Sequence, residues 1–275
     1  MQVAIVGLGL MGGSFGLALK KSFDDITLLG FDHNEAHCKE AITCGLVDEI
    51  VSFEKVKSAD VIILAIPVEG VIASLQMLVD ISDNTTIIDL GSTKARILER
   101  VPAKIRKNLV AAHPMAGKEK FGPTAAFAAL YKKQTVVLCD TQDSDKVHLE
   151  RAILFFDALE MDIVYMDAKE HDLHAAYISH LPHAISYALA NSVLKQEDPK
   201  SILALAAGGF RDMSRIAKSS PHMWVDIFQQ NRENLLTTIG DFEKEIGYAK
   251  GLIEEEKWEA LEAWMQEATT LHKIL

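Results

Sequence analysis

Four short stretches of the chain carry side chains suited to acid–base chemistry or to holding an acidic ligand. His113 closes the apolar run 109–112 and is followed at once by Pro114. A neutral imidazole titrating near pH 7 can take a hydroxyl proton as hydride leaves a carbinol carbon. Ser92, in Asp89-Leu-Gly-Ser-Thr-Lys94, also follows an apolar run. It can hydrogen-bond the same hydroxyl or orient the imidazole. Each has a plainer explanation: His113 as a capped turn residue, Ser92 and Thr93 as N-caps of a helix holding Lys94 and Ile97. Arg211 and Arg215 lie four apart in Gly208-Gly-Phe-Arg-Asp-Met-Ser-Arg-Ile-Ala217. Like charges at that helical spacing repel by a few tenths of a kcal/mol. An anionic ligand between them, or a carboxylate from elsewhere in the chain, reverses the sign. His180 and His183 lie three apart around Pro182. They lack a third ligand at motif spacing, so no metal is expected there.

These residues need a frame to hold them. Residues 1–32 read as strand, glycine turn, helix and second strand. The turn Gly7-Leu-Gly9-Leu10-Met11-Gly12 follows the strand 2–6, and the second strand ends at Asp32, twenty residues beyond Gly12. This is the dinucleotide fingerprint: Gly7 for the tight turn, Gly9 for close approach to a pyrophosphate, Gly12 for helix–strand packing. The helix starting near Leu10 and Met11 aims unpaired N–H groups and its positive dipole end at the phosphates. Asp32 accepts hydrogen bonds from ribose hydroxyls and repels a 2′-phosphate, and His33 and Asn34 follow it rather than an Arg. NAD is therefore the expected cofactor. An N-cap role for Asp32, on the helix 34–43, is compatible with that. Ligands in open α/β sheets bind beyond the carboxyl ends of the strands, which adds Ile66 and Pro67, after the run 61–65, to the cofactor contacts.

Further continuous apolar runs occur at 86–89, 109–112, 135–139 and 163–166. Unalternated strands between amphipathic helices imply a mostly parallel sheet buried on both faces. After Asp167 the strand pattern ends. A long helical pattern over 168–194 contains Pro182, which is expected to kink it. Further helices are expected near 199–207, 210–218, 221–239 and 254–273, the last with Trp258, Leu261, Trp264, Met265, Ala268 and Leu271 on one face. The fold class is an α/β Rossmann-type dinucleotide-binding domain, 1–167, followed by an all-helical domain, 168–275. Dehydrogenases with such helical tails commonly dimerise through them, so a homodimer is expected.

The 275 residues are 49% hydrophobic and 24% charged, with a net charge of −11, which argues against a nucleic-acid or anionic-membrane surface. A locally basic pocket for an acidic substrate is still allowed. The N-terminus enters a strand directly, which leaves no room for a signal peptide. No apolar run approaches the roughly eighteen residues a membrane span needs. Cys38, Cys44 and Cys139 form no paired framework, so a reducing cytoplasm fits. His33, His37, Cys38 and Cys44 read as exposed helix residues rather than a metal cluster, as no C-x-x-C pair is present.

The glycine turn, Asp89-x-Gly-Ser-x-Lys94, His113-Pro-Met-Ala-Gly117 with Glu119, Ser179-His-Leu-Pro-His183 and Gly208–Ala217 share one order and spacing. Together they resemble the prephenate/arogenate dehydrogenase family of tyrosine biosynthesis, over essentially the whole chain. The resemblance implies that prephenate gives up a hydride to NAD and its ring carboxylate as carbon dioxide, forming 4-hydroxyphenylpyruvate. By motif position His113 would accept the 4-hydroxyl proton, with Ser92 assisting. Arg215 would bind a substrate carboxylate bidentately. His183 would contact the substrate or shape its pocket, and Glu119 would restrain Arg215 or the pocket entrance. Asp212 and Trp224 match positions near the site, in this subunit or a second. Lys118 stands where the family's motif often has Thr or Ser, and Phe121 where Ser is frequent. By the resemblance both would border the substrate side chain, which leaves prephenate and arogenate open. No regulatory ACT-type domain follows and no chorismate mutase domain precedes, so any tyrosine feedback is expected at the active site. Two other readings compete. A β-hydroxyacid dehydrogenase shares the turn but relies on a Lys in its helical half. An NAD-sensing regulator needs neither His113 nor Arg215.

Overall fold

The computed structural model describes residues 1–274. Strands and helices alternate as β1 (Gln2–Val6), α1 (Leu10–Ser22), β2 (Thr27–Phe31), α2 (Glu35–Thr43), β3 (Glu49–Ile50), α3 (Phe53–Val56), β4 (Val61–Leu64), α4 (Val68–Met77), β5 (Thr86–Asp89) and α5 (Ala95–Arg100). They continue with β6 (Leu109–Pro114), β7 (Thr135–Cys139), α6 (Lys146–Ala158) and β8 (Asp162–Met166). The sheet order is β3-β2-β1-β4-β5-β6-β7-β8, parallel except where β6 meets β7. Val6 pairs with Leu64, Leu64 with Asp89 and Asp89 with Ala111. This register brings the glycine turn, Ile66, Ser92 and His113 to one rim of the sheet.

The central strands are Val- and Ile-rich, and β4 and β5 are buried throughout. Their two faces meet separate apolar layers. Phe15 of α1 anchors one of them, packing edge-on to Tyr131, Phe155 and Phe156 at centroid distances of 5.5, 6.4 and 6.2 Å. Such pairs add about 0.5–1.5 kcal/mol each beyond burial. Ile62, Leu64, Val71 and Leu75 lie in the other layer. The expectation of burial on both faces fails at β8, an edge strand whose Val164 and Tyr165 are exposed.

From Ala168 onward the described elements are helical. α7 (Ala168–Ala175) passes into a π-helical turn, Ala176–His180, and then α8 (Leu181–Leu194). The disturbance expected at Pro182 thus sits one turn upstream of it. Proline has no N–H to donate and crowds the carbonyl four residues back, and the widened turn absorbs both. α9 (Pro199–Ala204), α10 (Gly208–Arg215) and α11 (Pro221–Gln230) follow. The helix expected over 221–239 is broken: α11 ends before Asn231, and α12 (Arg232–Glu254) starts after it. The cause is tertiary, because the Asn231 amide donates to the Asp172 carbonyl at 2.5 Å. Contacts divide the chain into two compact units. Met1–Asn231 contains the sheet and α1–α11. The second unit begins at Arg232 and holds α12 and α13 (Trp258–Thr269), where Trp264 Nε1 donates to Glu245 at 2.9 Å.

Candidate active site

The glycine turn is shaped for close approach. Gly7 has φ +93°, and a Cβ there would lie 2.4 Å from Ala65 O and 2.5 Å from Ile66 Cγ2. A Cβ on Gly12 would lie 1.9 Å from Gly7 O, so this crossing admits only glycine. At Gly9 a Cβ would meet nothing within 4 Å, so backbone here faces open space. The first helical bond runs from Gly13 N to Gly9 O, 2.9 Å, which leaves the Leu10, Met11 and Gly12 amides ahead of the ladder. No acidic side chain occupies this first turn. These features fit a dinucleotide pyrophosphate.

Asp32 stands beside the turn. Its carboxylate accepts Leu8 N at 2.9 Å and Asn34 N at 2.8 Å, with His37 Nδ1 at 3.5 Å. It does not cap α2. That task falls to Asn34, whose Oδ1 accepts from Ala36 N and His37 N. Each Asp32 oxygen retains a lone pair for a ribose hydroxyl. Ile66 lies against Gly7, and Pro67 opens α4.

At the next strand end, Ser92 does not cap α5. Lys94 occupies the cap position with no side-chain cap bond, and the helix-start amides instead reach Asp172 on α7. Lys94 N and Ala95 N donate to the two Asp172 oxygens at 2.8 and 2.9 Å. Lys94 Nζ is fully buried, pairs with Asp89 and donates to Ala112 O at 2.8 Å. A single ammonium thus clamps the ends of β5 and β6 on either side of Ser92 and His113. Burial pushes the Asp89 carboxyl up, against the pull of Lys94.

His113 is half-buried on β6. Its Nδ1 lies 2.8 Å from His171 Nε2, and His171 Nδ1 lies 2.8 Å from Asp172 Oδ1. Burial holds His113 well below the ordinary histidine value, and His171, Lys94 and His180 push the same way. The imidazole is therefore neutral at pH 7.

A second group of side chains lies on α8, α10, α11 and the segment after β6. His183 stacks on Trp224 with centroids 3.5 Å apart, and its Nδ1 donates to Ser179 O at 2.9 Å. Trp224 is buried, and its indole N–H has no protein partner among the described residues. Arg215 pairs with Glu119, and both act on His183 electrostatically. Arg211 donates instead to Ala206 O at 3.2 Å, so Glu119 pairs with one arginine of the two. Lys118 and Asp212 lie exposed on the same two segments as Glu119 and Arg215. Sequence reading missed His171, Asp172 and Asn231, and weighed His180 only as one of a metal-binding pair. The adjacent His171-Asp172 pair is a usable signal, but nothing local links it to His113.

His180 is buried beside Asn231, whose amide lies 3.2 Å from its Nδ1. Desolvation lowers His180 from 6.5 to about 4. The folded chain therefore binds fewer protons here than the unfolded chain. This contribution is complete above the unfolded value and is lost as pH falls toward 4. Over that window about 3 kcal/mol is at stake. Urea unfolding followed between about pH 7 and pH 4 should show stability declining, and His180→Gln should flatten the slope. An unchanged slope in the variant would assign the decline to other groups.

The sequence matches a family model described as prephenate dehydrogenase, nucleotide-binding domain, over residues 15–165. A second, prephenate dehydrogenase, dimerization domain, matches residues 167–267. The prephenate dehydrogenase of Bacillus subtilis is 33% identical over 266 residues, covering 94% of this chain and 72% of that protein. A crystal structure of prephenate dehydrogenase from Aquifex aeolicus, in complex with hydroxyphenyl propionate and NAD+, superposes with a TM-score of 0.93 at 33% identity, covering 99% and 97% of the two chains. Synechocystis arogenate dehydrogenase superposes at 0.82 with 27% identity, covering 99% of each chain.

Proposed function

The chain belongs to the prephenate dehydrogenase family, and from that we propose that it converts prephenate to 4-hydroxyphenylpyruvate by NAD-dependent oxidative decarboxylation. The observation that carries this reading is a neutral, buried-side histidine, His113, on the same rim of the sheet as a glycine turn shaped for a dinucleotide.

Gly7, Gly9, Leu10, Met11, Gly12, Asp32, Ile66 and Pro67 would hold NAD, which supplies the acceptor for the hydride leaving the ring carbinol carbon. His113 Nδ1 is engaged by His171, so Nε2 is the ring nitrogen left to take the 4-hydroxyl proton. Ser92 shares that hydroxyl. The electrons of the ring carbon–carboxylate bond then enter the ring, and carbon dioxide leaves. His113 returns its proton to the ring oxygen, now phenolic, so the side chain ends each cycle neutral. Arg215 binds a substrate carboxylate in exchange for Glu119, and the stacked His183–Trp224 pair gives the pocket a flat wall. Lys118 and Asp212 border the entrance. The helical half, 168–275, carries substrate binding and homodimerisation in this reading, and three free cysteines suit a reducing cytoplasm. No described helix is long and apolar enough to cross a membrane.

The test is reduced-cofactor absorbance with prephenate or arogenate, each with NAD or NADP. Reduction with prephenate and NAD, and little with NADP, is the expected result. Preference for arogenate keeps the chemistry and moves the error to the side-chain end of the pocket, around Lys118. No reduction with any pair removes the reading.

A further inference from the structure

The chain His113–His171–Asp172 is unusual in that its two outer members belong to separate parts of the fold, β6 and α7. An ionised carboxylate can only accept hydrogen bonds, so the proton between Asp172 and His171 sits on His171 Nδ1. Neutral His171 then presents a lone pair at Nε2, and His113 Nδ1, 2.8 Å away, must be the donor. This leaves the lone pair of His113 on Nε2. We infer that His171 and Asp172 are positioning residues that lock His113 into its Nδ1–H tautomer and share the positive charge it gains when it takes a proton. The inference rests on the reading of His113 as proton acceptor, and goes beyond it in assigning how that acceptor is prepared.

The surroundings support a dedicated device. His171 and Asp172 are 97% buried. Asp172 is braced on every side, by Lys94 N and Ala95 N at its carboxylate and by Asn231 at its carbonyl. It can therefore neither rotate away nor be solvated. Besides His171 from α7, the groups facing His113 are Lys94 from the end of β5 and His180 from the π-helical turn, and these two disfavour a cation there. Asp172 is the carboxylate bonded through His171 to offset them, so the imidazolium formed during turnover depends on this relay for its stability.

The first test needs no substrate. Nitrogen-15 NMR of the histidine rings in the whole protein at alkaline pH reads each tautomer directly. His113 is expected as Nδ1–H, against the Nε2–H form that free histidine favours. Finding it as Nε2–H would overturn the inference, whatever the enzyme acts on. Two variants follow, His171→Phe, which removes the acceptor, and His171→Gln, whose carbonyl can still accept from Nδ1–H. The Phe variant should lose about 10²-fold or more in kcat, with KM within about threefold and the acid limb of kcat/KM moved to lower pH. The Gln variant should recover about tenfold of the loss. Equal losses in both variants with an unmoved acid limb would make His171 merely structural and overturn the assignment. Should the tautomer be Nδ1–H while no substrate pair is turned over, the functional reading fails and the relay stands.

Discussion

Replacing His113 by Asn should lower kcat by about 10³-fold while leaving NAD affinity and folding intact. The amide can keep the contact with His171 through the atom nearest Nδ1, so the strand end is preserved. It cannot take a proton. Because burial and its neighbours hold His113 below the ordinary value of 6.5, the neutral base is present throughout the physiological range. The wild-type kcat/KM should therefore stay level down to that value and fall only at more acid pH. The variant should show no such limb. Steady-state rates over a pH series, with NAD affinity from fluorescence titration, check both parts. Turnover within tenfold of wild type would remove His113 from the proton-transfer role.

Arg215→Ala should raise KM by about 30-fold or more with a smaller effect on kcat. The guanidinium offers two parallel donors to a carboxylate, each charge-assisted bond being worth roughly 1.5–3 kcal/mol where solvent is excluded. Arg215 is 57% exposed and paired with Glu119, so part of that sum is screened or already spent before a ligand arrives. Arg215→Lys should recover only part of the affinity, because an ammonium lacks the planar fork. Initial rates with varied prephenate decide it. An unchanged KM in the Ala variant would mean that the substrate carboxylates bind elsewhere.

The parts of this site that were legible in the sequence are those whose physics is local. The glycine turn, its strands and Asp32 lie within 32 consecutive residues, and their roles follow from backbone shape and short-range packing. The mostly parallel sheet followed from apolar runs without alternation. What escaped was set by distant partners. Asn231 breaks a helix that its neighbours would have continued, because a carbonyl 59 residues earlier accepts its amide. One of the like charges of α10, Arg215, is met by Glu119, 96 residues away. Ser92 reads as a helix cap by type and spacing, yet Asp172, 78 residues from Lys94, does the capping. In each case residue type announced a need, and only the fold showed what met it.

The antiparallel step between β6 and β7 has a topological consequence. In a sheet of uniformly parallel strands, each following helix starts at the ligand-binding rim and descends from it. Here β7 and β8 run the other way, so β8 ends at Met166, level with Cys139, Ala111 and Asp89, and Ala168 N is received by Asp140. The helix that follows starts at that level, and its first turn brings His171 and Asp172 against His113 and the start of α5. A reversal that looks like a decoration on the edge of a nucleotide-binding sheet thus sets where the chain enters the helix that carries His171 and Asp172. With uniform strand direction, the same helix would begin at the other end of β8, level with Thr135, and its first turn would not meet His113 in this way.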